Sequence, residues 1–386
     1  MTDAVVTALR EIANRDLYQR NAFHITGLST GVDRRTTRRR QQHVTAVLEA
    51  GADLETSGST DPDELRLAFD RLLGDPRRRL VDEVFGEWGR PNGDCGCDVP
   101  VHQAHDEAVY AHAYAIELLI QPPDPSPDHR IGLLNWWNAA GVRWTEAMAH
   151  PQFWQHLRDR VLTLDDWQLA AGAIDQIRGE LPATLTGPLL DLATTSDYPA
   201  QVAKILERWP VGGDSRQRRL LEAMRTQYER AEDATVALLR RLQQGPHEVD
   251  PVINELGRSV LPMFRRLQVF LPSEEHQRTL TLRDDIALVY HNGAVGIAND
   301  GWVHDPRITF LFDEAEGYAG SDETRSKIAA NRAAAQQLKS QGSFRAQNAA
   351  HRQNAPQQWD AEGCGCAIGI LVLVALGIFL LIKAFS

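Results

Sequence analysis

A helical periodicity runs through almost the whole chain and limits it to an α-helical fold. Residues 216–245, RQRRLLEAMRTQYERAEDATVALLRRLQQG, show it most clearly, with apolar residues at spacings of three and four. The pair Gly245–Pro246 ends that helix. Segments typical of strands are few and short, such as ITFLF at 308–312, and helical pattern flanks them. We therefore predict an all-α protein.

The last part of the sequence differs from the rest because it is uniformly apolar. Residues 364–382, CGCAIGILVLVALGIFLLI, contain no charged side chain. In a helix this stretch is about 28 Å long, which matches the hydrocarbon thickness of a bilayer. We predict a single transmembrane helix at 364–383 that contacts membrane lipid, in a tail-anchored, single-pass protein. A flexible linker at 341–363, rich in Gln, Asn and Ala, would precede it.

From its composition we predict that the bulk of the 386-residue chain lies in a reducing cytoplasm and does not bind nucleic acid. The formal net charge is −11, whereas a general nucleic-acid binder needs a basic surface. Four cysteines are too few for a disulfide-stabilised secreted protein of this length. The N-terminal residues, MTDAVVTALREIANRD, lack the long apolar core of a signal peptide.

Residues 1–90 predict a short entry helix, a helical hairpin and a closing helix. A turn at Gly27 follows the entry helix, and the next helix starts near Asp33. A helix from Asp63 runs to a break at Asp75–Pro76, and the closing helix follows. The exposed face of the first hairpin helix carries five arginines, which we predict to bind a partner: Arg34, Arg35, Arg38, Arg39 and Arg40. A solvated surface helix is the alternative interpretation.

This order of elements resembles a J-domain, the module of DnaJ-like co-chaperones. The resemblance covers about residues 14–88 and is strongest in the segment AFDRLLGDPRRRLVDE. The matching residues are Asn21, Phe23, Gly27, Leu28, Ala68, Phe69, Leu73, Asp75, Pro76, Arg79 and Asp82, together with the basic second helix. The resemblance implies that the five arginines of the basic helix dock on a DnaK-class chaperone.

The resemblance is incomplete at the loop between the two long helices. J-domains carry His-Pro-Asp there, and that tripeptide drives ATP hydrolysis by the partner chaperone. The loop here reads LEAGADLETSGSTDPDEL and has no His-Pro-Asp. His43 lies earlier, inside the basic helix, and Asp61–Pro62 falls at the start of the next helix, where proline is favoured. The resemblance therefore implies a degenerate J-like domain that keeps the docking face and lacks the stimulating tripeptide.

A cluster of cysteines and histidines follows the closing helix, in a loop that we predict at 91–105. The cluster consists of Cys95, Cys97, His102 and His105, in the pattern C-x-C-x(4)-H-x(2)-H. Two thiols and two imidazoles suit a tetrahedral zinc ion, and four protein ligands make such a site structural. The spacing is not that of a standard zinc finger, so a loop of unbound thiols is the alternative. The second pair, Cys364 and Cys366, is most simply explained as small residues that begin the apolar segment.

No catalytic motif stands out in the sequence, and we predict a binding protein and not an enzyme. The chain contains no phosphate-binding loop, dinucleotide-binding turn or nucleophile elbow. Residues 106–340 form a predicted helical domain whose small residues allow tetratricopeptide-like packing, although no 34-residue period is present. We predict a membrane-tethered J-like adaptor that binds a chaperone or client at the cytoplasmic membrane face. The alternative is a zinc-stabilised helical scaffold, a protein-interaction module with no chaperone link.

Overall fold

The chain is α-helical throughout the residues that the structure describes, which confirms the predicted fold class. The structure is a computed structural model that describes residues 4–51, 59, 61–91, 95–121, 126–167, 169, 172–213 and 215–353, and it contains no β-strand within these ranges. The helices are α1 (Ala4–Ile12), α2 (Ala22–Thr26), α3 (Arg34–Glu49), α4 (Pro62–Gly74), α5 (Pro76–Val84), α6 (Val99–Ile120), α7 (Pro127–Ala149), α8 (Pro151–Leu164), α9 (Ala173–Thr195), α10 (Pro199–Arg208), α11 (Ser215–Leu242), α12 (Val249–Glu255), α13 (Leu261–Phe270), α14 (Gln277–Asn299), α15 (Pro306–Tyr318) and α16 (Asp322–Gln353). A 3₁₀ turn at Pro246–Glu248 precedes α12, and a π-helical turn at Leu256–Val260 joins α12 to α13.

The chain divides into two units. The first, Met1–Ala329, contains both the predicted N-terminal domain and most of the predicted helical domain. In the second, Ala330–Ser386, the chain is helical as far as Gln353, so residues 341–353 are helix where the sequence predicted a flexible linker. The predicted transmembrane segment 364–383, with both of its cysteines, lies outside the described residues. Among the helices of the described part, none is both long and apolar enough to cross a bilayer.

Helices α2, α3 and α4 pack around one apolar cluster near the N-terminus. Asn21 caps α2 by accepting a hydrogen bond from the backbone N–H of Phe23 at 3.0 Å, and α2 ends at Gly27 in the left-handed conformation, φ 62°. The buried members of the cluster are Ala22, Phe23, Ile25, Val44, Leu65, Ala68, Phe69 and Leu72. The three helices, which lie where the sequence predicted an entry helix and a hairpin, therefore share one core.

Two Asp-Pro pairs set the starts of the helices that follow the arginine-rich α3. Asp61 accepts a hydrogen bond from the backbone N–H of Asp63 at 2.9 Å, and Pro62 occupies the first turn of α4. Asp75 accepts from the N–H of Arg78 at 3.0 Å, and Pro76 opens α5. An aspartate cap satisfies N–H groups that the helix leaves unpaired, and proline has no N–H there to leave unpaired.

Helix α5 is enclosed by its neighbours, and its charged residues are buried with it. It packs against α1, α4 and α8. Arg79, Asp82 and Glu83 are all almost completely inaccessible to solvent. The Arg79 guanidinium donates to the backbone carbonyl oxygens of Leu72, at 3.1 Å, and Val32. These bonds compensate part of the cost of burying the charge.

Asp82 is the most strongly perturbed carboxyl group of α5. Its oxygens lie 3.6 Å from Arg71 and 3.8 Å from Arg78. Burial nevertheless raises the Asp82 pKa to about 6, because the nearby guanidinium groups offset only part of the lost hydration.

Helix α1 fixes the start of the chain against α9. A Cβ atom on Gly187 would lie 2.5 Å from the carbonyl oxygen of Ala13, so the two backbones meet where α9 has no side chain. Arg10 pairs with Glu180 at 3.1 Å on the same side of α9. The N-terminal helices are thus packed against the rest of the first unit from both α1 and α5.

Candidate metal centre

The structure brings Cys95, Cys97, His102 and His156 together. One ligand atom from each residue lies within 4.8 Å of the other three. Cys95 Sγ is 3.4 Å from His102 Nε2, and Cys97 Sγ is 3.4 Å from His156 Nδ1. In a tetrahedral zinc site the sulfur and nitrogen ligands are about 3.6 Å apart, given the usual zinc–ligand distances. The donor set and its spacing therefore suit a tetrahedral ion of the zinc type.

His102 is held with its outer nitrogen facing the thiols. It lies in the first turn of α6, where its Nδ1 is 2.9 Å from the carbonyl oxygen of Gly89. A carbonyl only accepts, so Nδ1 carries the proton and Nε2 presents its lone pair to Cys95. Burial lowers the pKa of His102. The neutral ring is the form that binds a metal.

His156 approaches the group from a different helix and through the other ring nitrogen. It lies in the middle of α8 and is buried. While Nδ1 faces Cys97, Nε2 is 3.7 Å from the Glu83 carboxylate. A metal ligand whose second nitrogen faces a carboxylate is the usual arrangement of zinc-bound histidine.

His105, the fourth residue of the predicted set, is not part of this group. Its Nε2 is 2.8 Å from the carbonyl oxygen of Val84, and its Nδ1 is 3.1 Å from the Asp106 carboxylate. Both nitrogens therefore have partners on the side of α6 that packs against the end of α5. The structure differs here from the sequence prediction, because α8 supplies His156 to the position that His105 was predicted to occupy.

The thiols would release their protons when they bind a cation. Burial and the neighbouring Cys95 raise the pKa of Cys97 to about 12 without a bound cation. A metal ion reverses this preference, because the thiolate is the ligand form and a divalent charge stabilises it. Binding is therefore coupled to proton release.

Trp88 forms one wall of the group. Its ring stacks between those of His105 and His156, with centroids 3.8 Å from each. The indole N–H donates to the backbone carbonyl oxygen of Glu83 at 2.9 Å, and the Trp88 backbone N–H donates to Asp106 at 2.7 Å. The wall is thus fixed by both α5 and α6.

A polar cavity of about 160 Å³ borders the group on another side. Its lining includes three members of the group and four charged residues: Cys95, His102, His156, Glu83, Arg90, Asp159 and Arg160. Inside it, Arg160 donates to the Glu83 carboxylate and, at 3.2 Å, to the carbonyl oxygen of Thr30. The cavity thus places four charged side chains beside three of the four members of the group.

The five predicted partner-binding arginines lie on α3, which supplies no residue to the metal group. The buried residues of this helix are Thr37 and Val44. Arg34 pairs with Asp166 at 2.9 Å. For the other four (Arg35, Arg38, Arg39 and Arg40) no carboxylate of the described ranges lies within ion-pair distance. We call these four arginines the arginine face. Hydrogen bonds from Thr36 lower the pKa of the nearby Asp33 carboxyl, and Arg35 and Arg39 also lower it.

Sequence reasoning found three of the four clustered residues and missed His156, together with Glu83 and Arg160 beside it. His156 and Arg160 are four residues apart and therefore share one side of α8. That spacing was visible in the sequence, but the packing of α8 against the Cys loop was not. No family model, no curated protein and no solved structure matches this chain.

Proposed function

We propose that this protein is a J-like adaptor whose N-terminal helices, α2 to α5, are held on the helical body by a structural zinc ion. The observation that carries the proposal is the convergence of Cys95, Cys97, His102 and His156 from a loop and two helices. Four protein ligands fill a tetrahedral zinc ion and leave no position for a substrate. Such a site supports a binding protein and not a catalyst.

Zinc fits this donor set better than the hard cations do. Thiolate and imidazole ligands select zinc among the abundant divalent ions, whereas magnesium and calcium require oxygen ligands. The zinc ion would join residues 95–102 to His156 of α8, which lies more than fifty residues further along the chain. That cross-link would stabilise the folded state without any disulfide.

Metal analysis of the purified full-length chain tests the zinc. We expect one zinc per chain by mass spectrometry of the metal content. Cys97→Ser should lose it, whereas His247→Ala, at an exposed histidine on the 3₁₀ turn before α12, should keep it. Wild-type protein that carries no stoichiometric zinc after purification without chelators would remove the proposed site.

The binding activity is assigned to the arginine face. No carboxylate of the described part of the chain lies within ion-pair distance of its guanidinium groups, so they are available to an acidic partner surface. The resemblance of residues 14–88 to a J-domain names a DnaK-class chaperone as the first partner to test. The missing His-Pro-Asp predicts docking with little stimulation of ATP hydrolysis.

Charge reversal tests this assignment. Arg38→Glu together with Arg39→Glu should weaken chaperone binding at least tenfold in a titration followed by surface plasmon resonance. The matched control reverses Arg218 and Arg230, which are exposed on α11, and should bind as the wild type does. Equal binding by all three proteins would show that the arginine face is only a solvated surface.

The membrane tether rests on residues 364–382 alone. The full chain should sediment with membranes and resist extraction by high salt and alkali. A chain ending at residue 363 should remain in the supernatant. Salt extraction of the full chain would instead indicate peripheral attachment and would remove the tail anchor from the proposal.

A further inference from the structure

Glu83 connects the N-terminal helices to the metal group. It lies in the last turn of α5 and is completely buried. One carboxylate oxygen, Oε1, is 3.7 Å from His156 Nε2 and accepts a hydrogen bond from Arg160 Nε. The other, Oε2, has no hydrogen-bond partner among the described residues. Both contacts of Oε1 are with residues of α8. Glu83 therefore links α5, on which it lies, to α8.

Metal binding changes the hydrogen-bond donor that His156 presents to the Glu83 carboxylate. When His156 Nδ1 donates its lone pair to a divalent ion, the ring proton resides on Nε2 and faces the carboxylate. The bound ion also draws electron density from the ring, which makes the N–H a stronger donor. Oε1, the oxygen nearest to His156 Nε2, already accepts from Arg160, whereas a small rotation of the carboxylate would let the unpartnered Oε2 accept this bond. The Glu83 contact is therefore stronger in the metal-bound protein than in the metal-free one.

We propose that Glu83 positions His156 for the metal and thereby couples zinc binding to the packing of the N-terminal helices on α8. The inference rests on the proposed function, because it requires that the group binds zinc. Coupling of this kind is reciprocal: zinc tightens the packing of α5, and packed α5 raises the affinity for zinc. Zinc occupancy then sets how firmly the arginine face is held on the body.

The competing explanation is that Glu83 serves only as the counter-ion of Arg160. Both residues are buried, and an unpaired buried charge destabilises a fold whatever the metal does. The two explanations differ in one measurable respect. If Glu83 is only a counter-ion, its substitution changes the stability of the metal-free protein. If Glu83 positions His156, its substitution lowers the zinc affinity of the folded protein.

Zinc affinity is measured by competition with a chromophoric chelator, using the full-length protein. Glu83→Gln should bind zinc 10- to 100-fold more weakly, which is the usual effect of removing a partner of a ligand histidine. The control is Glu87→Gln, an exposed glutamate four residues further on, which should bind as the wild type does. If Glu83→Gln binds zinc as tightly as the wild type, the inference is wrong while the zinc site stands. If the wild type binds no zinc, the proposed function fails and the inference fails with it.

Because Glu83→Gln leaves Arg160 unpaired, a double variant and a wild-type measurement accompany it. Glu83→Gln with Arg160→Gln removes both charges and should show the same loss of zinc affinity. In the wild type, chelation of zinc should speed hydrogen–deuterium exchange at least tenfold in α5, which contains no metal ligand. Helix α14, remote from the site in the chain, serves as the reference. Unchanged exchange in α5 upon chelation, or undiminished affinity in the double variant, overturns the coupling.

Discussion

His102 and His105 stand three residues apart on α6 and have different roles. His102 directs Nε2 to the thiols because the Gly89 carbonyl holds its Nδ1. His105 has both nitrogens engaged by Val84 and Asp106. The residue types and spacing alone could not separate the two, because both suit zinc. What separates them is which backbone groups lie opposite, and that depends on the packing of α5.

His156, a member of the metal group, and His105, which is not, should therefore give opposite results on substitution. His156→Asn should abolish stoichiometric zinc binding, since it removes a ligand. His105→Asn should retain zinc and lower the stability of the protein, because it leaves the buried Val84 carbonyl with a poorer partner. Metal content and thermal unfolding, measured on both variants, check the assignment. Retention of zinc by His156→Asn with loss by His105→Asn would restore the set predicted from the sequence.

Zinc affinity should rise with pH. Because the pKa of Cys97 is raised to about 12 in the metal-free state, the thiol is protonated at neutral pH and zinc must displace its proton. Each proton released strengthens binding about tenfold per pH unit below the thiol pKa. His102 adds little near neutrality, because its lowered pKa keeps it neutral there. Chelator competition at pH 6.5, 7.5 and 8.5 measures the slope, and a flat profile would contradict bound thiolate.

At the scale of elements, the helices were predictable and their burial was not. Helix formation depends on local periodicity and on caps such as Asp75–Pro76, all visible in the sequence. The segment PRRRLVDEV of α5 looks like a solvated, charged helix. Its burial results from packing against α1 and α8, and no local sequence pattern indicates that packing. The helical extension to Gln353 was missed because Gln, Asn and Ala suit a linker as well as a helix.

The raised pKa of Asp82 predicts a pH dependence of stability. An acid whose folded-state pKa lies above its unfolded value binds protons preferentially in the folded state. Its contribution is present below about pH 4 and is lost as pH rises through about 6. Urea unfolding should show the wild type losing up to about 3 kcal/mol relative to Asp82→Asn over this window. Asp70→Asn, at an exposed site on α4, is the control, and an Asp82→Asn difference that stays constant with pH would contradict the assignment.

The contact between α1 and α9 predicts opposite effects of one substitution at two glycines. Gly187→Ala would place a Cβ 2.5 Å from the Ala13 carbonyl oxygen and should destabilise the protein by about 1–3 kcal/mol. Gly179→Ala lies on the same helix, is exposed and has no atom near its Cβ position. That control should stabilise the protein by up to about 1 kcal/mol. Chemical denaturation of both variants measures the sign of each change in the free energy of unfolding. Equal changes would contradict the close approach of Gly187 to Ala13.

At the scale of the whole molecule, zinc should stabilise the first unit. A ligand that binds only the folded state stabilises it by about 4 kcal/mol when its concentration is a thousand times its dissociation constant. Differential scanning calorimetry should therefore show a lower Tm after chelation and recovery when zinc is restored. The Cys97→Ser variant should show neither change. A Tm that is insensitive to chelation in the wild type would indicate that the four side chains do not share an ion.

The enclosure of α5 limits how the N-terminal segment of this chain can be recombined with other genes. Most modules of this size are autonomous and can be shuffled between genes by recombination at their ends. A break after residue 90 would separate the buried Glu83 from Arg160 and His156 of α8. Residues 1–90 could not be transplanted to another protein without α8, so their evolution is tied to that of the helices around them.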